Sequence, residues 1–145
     1  MAERKPYLNP GFVMKSLVGP LMTRYGRTPV LTVTGRTSGQ PRSVPIGAPA
    51  ELDGRRYLLS GRGQTHWILN LRAAGCGTLR SHGVIESFRV VEVQGEERDR
   101  VIAAYRARYG KRVEPAFARL PDPNDHPTFR LEDVEVVSAP RGKAD

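Results

Sequence analysis

Val30-Leu31-Thr32-Val33-Thr34-Gly35-Arg36-Thr37-Ser38-Gly39-Gln40-Pro41-Arg42-Ser43-Val44-Pro45-Ile46 reads as strand, polar turn, strand. The β-branched residues of the first limb suit a pleated, half-buried surface. The turn holds two glycines, a threonine and a serine, which supply positive φ and short hydroxyl bonds to nearby backbone. Pro41 lacks an N–H, so it belongs at the start or edge of the second strand. Such a hairpin brings Arg36 and Arg42 towards each other across exposed N–H groups and hydroxyls. Successive N–H groups in a glycine-containing turn form a positive concavity. Two guanidinium groups can clamp a phosphate or carboxylate through paired hydrogen bonds. An ordinary hairpin with its arginines in water is equally open on spacing alone. No Lys-Ser/Thr pair follows the second glycine, which excludes a Walker loop.

The rest of the chain sets bounds on this reading. Its 145 residues suffice for one domain with a real core. A net charge of +8 calls for an anionic partner: nucleic acid, a membrane surface or a polyanionic small molecule. Cys76 is the one cysteine, so no internal disulfide forms and a reducing compartment is expected. His66, His82 and His126 lack zinc-like spacing, and no metal is expected. The N-terminus has no signal-peptide order and no apolar run spans a membrane.

Outward from the hairpin, residues 1–10 read as a mobile lead-in. Val13, Met14, Leu17, Val18, Leu21 and Met22 form one helical face, so 11–25 is expected to be a helix. It packs on the barrel in one reading and touches membrane or gates a pocket in the other. The second strand should continue from about Arg42 to Ala50. Asp53-Gly54 marks a tight turn, and 55–60 a third strand, completing a three-stranded meander. Thr65 reads as an N-cap and Gly75 as the end of a short helix. That helix would add a second anion site beside Arg62. His66 stands where a dinucleotide fingerprint needs its third glycine, so that motif is rejected. A second hairpin covers 78–93 with its turn at His82-Gly83, and 96–109 is helical. The four prolines between Val113 and Pro127 read as loop. Thr128 to Val137 is a last strand, bulged near Glu132-Asp133 where the apolar parity shifts, and 138–145 a polar tail. The sum is a single mainly β (α+β) domain, a small barrel of about six antiparallel strands with flanking helices.

Thr34-Gly35-Arg36-Thr37-Ser38-Gly39-Gln40-Pro41-Arg42, followed by Val44-Pro45, resembles the signature of the deazaflavin-dependent nitroreductase family. Trp67-Ile68-Leu69-Asn70-Leu71-Arg72-Ala73 resembles that family's second signature, in the same order and spacing. The resemblance implies a split β-barrel of the FMN-binding-protein type and coenzyme F420 as ligand. That deazaflavin carries a ribityl phosphate, a lactyl group and an oligoglutamate tail, and such a polyanion matches the basic hairpin. By the same resemblance Arg36, Thr37, Ser38, Gly39, Gln40, Arg42, Val44 and Pro45 hold the phosphate and tail. Gly61, Arg62, Gly63 and Gln64 pass the polar head, while Trp67, Asn70, Leu71 and Arg72 support or contact it. Thr37 stands where the family often has lysine, and the 61–66 stretch is compact, as in one subset.

The function so implied is hydride transfer from reduced F420 to a small hydrophobic acceptor: a quinone, an activated double bond or a nitro-aromatic. The cofactor carries the chemistry and the protein orients it. Ser60, Tyr105 and Tyr109 are the candidates for supplying a proton, with water as the alternative. FMN on the same fold is the runner-up cofactor, and a non-catalytic cofactor or lipid carrier the non-enzymatic reading. Nucleic-acid binding ranks low, because neither a stacking platform nor a recognition helix is evident. The expected location is cytoplasmic, with contact at the inner face of the membrane and homodimerisation both left open.

Overall fold

The computed structural model describes residues 28–138, so the expected helix at 11–25, the lead-in and positions 139–145 lie outside the described residues. Seven strands form one sheet in the order β2-β1-β5-β6-β7-β4-β3, every neighbouring pair antiparallel. They are β1 Val30–Thr34, β2 Pro41–Pro45, β3 Ala50–Leu52, β4 Arg55–Leu59, β5 Cys76–Ser81, β6 Val84–Val93 and β7 Thr128–Ser138. Among the described residues three α-helices accompany them: α1 His66–Ala74, α2 Gly95–Tyr109 and α3 Glu114–Arg119.

Local chemistry explains most of these boundaries. Asp53-Gly54 and His82-Gly83 both take paired positive φ values (54° and 77°, 52° and 81°). Those angles suit a two-residue turn whose twist matches the strands it joins. Gly75 ends α1 in the left-handed conformation, its N–H bonded to the Leu71 carbonyl. Thr65 holds the N-cap position of α1, but its hydroxyl makes no capping bond. The bulge expected in β7 is present: Arg89 faces Glu132 while Ser87 faces Glu135, and Asp133 has φ of 50°. Ser138, expected in the tail, pairs with Ile85 as the last residue of β7.

Three expectations are corrected. The second strand does not run to Ala50: it stops at Pro45, and Ala50 begins β3 on the opposite edge of the sheet. Pro45 and Pro49 have no N–H to give a ladder, so 46–49 crosses between edges and the meander is broken. This division makes seven strands of the expected six. The barrel is not closed by hydrogen bonds either, since β2 and β3 end the strand order without pairing. The five residue steps from Pro45 to Ala50 reach at most about 18 Å, so the two edges stand near each other and the sheet is curled into a split barrel. Finally, the proline-rich segment is not plain loop. Pro115 occupies the first turn of α3, where a missing N–H costs nothing, and Pro123–Asp125 forms a 3₁₀ turn.

The core lies inside the curl. Leu31, Val33, Leu58, Leu79, Phe88, Phe129 and Leu131 meet Ile68, Leu71 and Ala74 of α1. The spacing of these three helix positions points one face at β1 and β5. A smaller cluster of Ala50, Tyr57, Val93 and Val101 seats α2 against β3.

Candidate active site

The two edges of the curl, the turn between β1 and β2, and the start of α1 enclose one large cleft of about 1090 Å³. The hairpin turn is built tightly. Gly35 N–H donates to the Gln40 carbonyl at 2.8 Å, and Gly39 N–H to the Gly35 carbonyl at 2.9 Å. A methyl group on Gly35 would meet Ser38 Oγ at 2.8 Å and Arg42 Cγ and Nε at 3.2 and 3.3 Å. Arg42 therefore folds back over Gly35, beside Ser38. Gly39, at φ of 73°, closes the turn.

Arg36 is held from across the chain. Asn70 of α1 is buried, and its Oδ1 accepts from the Arg36 backbone N–H at 3.0 Å and from Nη1 at 2.7 Å. Nη2 of Arg36 lies 3.3 Å from Nδ1 of His66. Arg36 has only N–H groups there, so His66 Nδ1 accepts and its remaining proton sits on Nε2. The hairpin motif and the helix motif, read separately in the sequence, meet at this point.

Arg36, Arg42, Arg62 and Arg112 all line the cleft, and among the described residues no aspartate or glutamate lines it. Outside the cleft, Arg56, Arg72, Arg89, Arg98, Arg100, Arg106 and Arg130 each have a carboxylate within 4 Å, while other basic residues such as Arg108 and Arg119 stand at the surface without an ion pair among the described residues. Four cations without a carboxylate in the lining therefore stand together where the hairpin hydroxyls and the α1 N-terminus converge. Thr37, Ser38, Val44, Pro45, Gly61, Trp67 and Asn70 also line the cleft.

Other expected contacts lie elsewhere. Gly39, Gln40, Gly63 and Gln64 do not line the cleft, although all four belong to turns that do. Leu71 is wholly buried in the core. Arg72 points outward, bonded through Nε and Nη2 to both oxygens of Glu92 at 2.8 Å and through Nη1 to Gln64. That pairing raises its already high pKa. Leu71 and Arg72 follow Asn70 by one and two positions and so point away from its face of the helix.

The three proton candidates separate clearly. Ser60 is buried, donates its hydroxyl proton to the Gly63 carbonyl at 2.7 Å and accepts from Arg62 N–H. Tyr109 reaches the Ala48 carbonyl at 3.5 Å. Tyr105 lines the cleft itself. Burial, and then the neighbouring Tyr109, push its phenol pKa up, so it remains a neutral O–H donor. The sequence reading missed the 46–50 link between the sheet edges and the wall made by Arg112, Val113 and Ala116. The Gly-Ala-Pro-Ala run carries no chemistry to draw attention, and the second wall forms only when α3 folds back.

A protein-family model described as F420H(2)-dependent quinone reductase matches residues 12–115. No curated protein matches the chain. Among solved structures, one described as an F420-H2 dependent reductase is 24% identical with a TM-score of 0.55, over 74% of this chain and 95% of that one. A second, described as a domain-swapped dimer, is 21% identical with a TM-score of 0.54, over 86% of this chain and 100% of that one. A Clostridium acetobutylicum protein of the pyridoxinephosphate oxidase family is 10% identical with a TM-score of 0.54, over 90% of this chain and 96% of that one. These structures share the split-barrel fold.

Proposed function

The chain belongs to the F420H(2)-dependent quinone reductase family, and from that premise we propose that the cleft holds F420 by its anionic groups and presents it to a hydrophobic acceptor. The protein is an F420-dependent oxidoreductase by its family. One observation carries the assignment of the site: four arginines and no carboxylate among the cleft's described lining. A polyanionic ligand fits such a donor set, and a neutral one would leave it uncompensated. Arg36 and Arg42, with the Thr37 and Ser38 hydroxyls, take the phosphate and tail. Arg36 is pre-oriented by Asn70 and His66, so little of its side-chain freedom is lost on binding.

When bound, reduced F420 supplies a hydride. The protein's share is to orient that donor against the acceptor, exclude water and offer a proton. Val44, Ile46, Leu58, Val113 and Ala116 give the cleft an apolar part suited to a quinone, an activated alkene or a nitro-aromatic. Tyr105 is the residue we assign to donate a hydrogen bond to the acceptor's oxygen, since the Ser60 proton is committed to a backbone carbonyl. The domain-swapped solved neighbour supports a homodimer as the assembly to test. Among the described residues no helix is long and apolar enough to cross a membrane.

A fluorescence titration of F420 tests the site. Wild type should bind saturably, and Arg36→Ala and Arg42→Ala should each weaken binding about 10- to 100-fold, the range for losing a charge-assisted contact. Tyr105→Phe should retain F420 binding while lowering quinone-reduction kcat about tenfold or more. A wild-type protein that leaves F420 fluorescence unchanged would remove this reading.

A further inference from the structure

The two walls of the cleft meet at a buried side chain that the chemistry above does not use. His126 has no exposed surface. Its ring stacks on Phe117 of α3 with centroids 4.2 Å apart. Nδ1 lies 3.0 Å from the carbonyl oxygen of Ser60, and Nε2 lies 2.6 Å from that of Leu120. A carbonyl oxygen can only accept. Neutral imidazole has one N–H and one lone pair, so either tautomer sets a lone pair against one of these oxygens, away from water. The imidazolium ion has two N–H groups and satisfies both.

We propose that His126 is a positioning residue that acts as the imidazolium: doubly protonated, it ties Ser60 on one wall of the F420 cleft to Leu120 at the end of α3, and so sets the cleft's width. The proposal rests on the cleft being the cofactor site. On one side, Ser60 bonds to Gly63 and Arg62, so its position fixes the turn that carries Gly61 and Arg62 into the cleft. On the other, Leu120 N–H closes α3 onto the Ala116 carbonyl, and Ala116 lines the opposite wall. The frame around the ring is bonded: Ser60 N–H donates to the Pro127 carbonyl at 3.1 Å, and Thr128 Oγ1 to the His126 carbonyl at 2.9 Å.

The charged and titratable neighbours come from each packed element. Arg62 lies on the Ser60 side, and Glu114 and Arg119 belong to α3. Tyr105 and Arg106 come from α2, with Arg106 4.8 Å above the Phe117 ring and bonded to Glu114. Asp122 and Asp125 share the turn that carries His126, and Asp122 accepts from Asn124 N–H at 2.9 Å. The sign of the pH effect follows from the two acceptors. At low pH both ties are made. A ring that holds one proton makes only one of the ties and leaves the walls free to separate.

The test joins spectroscopy to binding. In ¹⁵N-histidine-labelled wild type at about pH 6, both His126 ring nitrogens should show the shifts of protonated nitrogen. F420 affinity should fall about tenfold from about pH 5.5 to about 8.5, the loss of roughly one buried hydrogen bond. His126→Gln keeps an amide donor that does not titrate, and its profile should lack that fall. His66 and His82 are present in both proteins, so the difference between profiles isolates His126. A ring nitrogen carrying a lone pair at about pH 6 overturns the proposal, as does a His126→Gln profile that tracks wild type. The spectroscopic arm uses wild type alone and needs no cofactor. No F420 binding in either protein would sink the site, whereas a neutral ring in a protein that binds F420 would sink only the role of His126.

Discussion

Gly35 occupies a position where any side chain would strike the anion site and not the core. The atoms it would meet are Ser38 Oγ and the Arg42 side chain, both able to swing away. Gly35→Ala should therefore leave the melting temperature within a few degrees of wild type while weakening F420 about tenfold, through a displaced Arg42. Equal loss of stability and affinity would show that the turn's fold, and not Arg42, had been disturbed. Asn70 gives a complementary case. Its one oxygen accepts two bonds from Arg36, so Asn70→Ala should release the guanidinium and cost about tenfold in F420 affinity. Asn70→Asp should cost more, because a carboxylate there would neutralise the cation the cofactor needs. Titration of both variants beside Arg36→Ala checks this: in the double variants the losses should be far from additive, as expected of groups that act together. The sequence indicated the cation and the turn but not this bond. Thirty-four positions separate Arg36 from Asn70, and a helix asparagine carries no mark of what it faces.

At the level of elements, α2 is fastened to the sheet by charge as well as by its apolar face. Tyr57 donates to Glu97 at 2.8 Å, and Arg130 of β7 reaches both Glu97 oxygens at 3.0 and 2.8 Å. The Tyr57 hydroxyl, and then Arg130, hold the Glu97 carboxyl below its usual range. A carboxylate depressed in the folded state contributes stability above the ordinary glutamate pKa of about 4.3, and loses it as pH falls through the lower folded value. Wild type should thus be more stable than Glu97→Gln at neutral pH, and the gap should close between about pH 5 and pH 3 in thermal melts. A constant gap across that range would mean that the carboxylate's charge contributes nothing. Glu97 is a third exposed, so the expected gap is modest, about 1 kcal/mol. Elements whose signals are local were legible: the turns at Asp53-Gly54 and His82-Gly83, the Gly75 stop, and the β7 bulge at Asp133. Those set by distant partners were not. Nothing local tells a strand running on past Pro45 from one that leaves its sheet edge and joins the other, and four prolines masked a helix that places one of them at its first turn.

Across the whole molecule, a net charge of +8 is distributed unevenly. Among the described residues seven arginines have near carboxylates around the sheet, and four line a cleft that has no carboxylate in its lining. Long-range attraction of a polyanion should then be focused there and be screened by salt over about 10 Å at 0.1 M. The same cleft lies where the sheet fails to close. β1, β4, β5, β6 and β7 each have a neighbour on both sides, whereas β2 and β3 are edges joined by the 46–49 link. Amides of the central strands should accordingly exchange slowest in the free protein, and those of 46–50 and the turn at 60–65 fastest among the cleft walls. A cofactor gripped from both edges supplies the contact that the missing ladder does not. Hydrogen exchange with and without F420 should slow 35–50 and 60–66 together, leave β5 and β6 unchanged, and lose much of that protection when salt is raised from about 0.05 to 0.5 M. Protection confined to the hairpin turn would place the ligand outside the curl, held by Arg36 and Arg42 alone. In that case the apolar walls beyond them would have no part in presenting the acceptor.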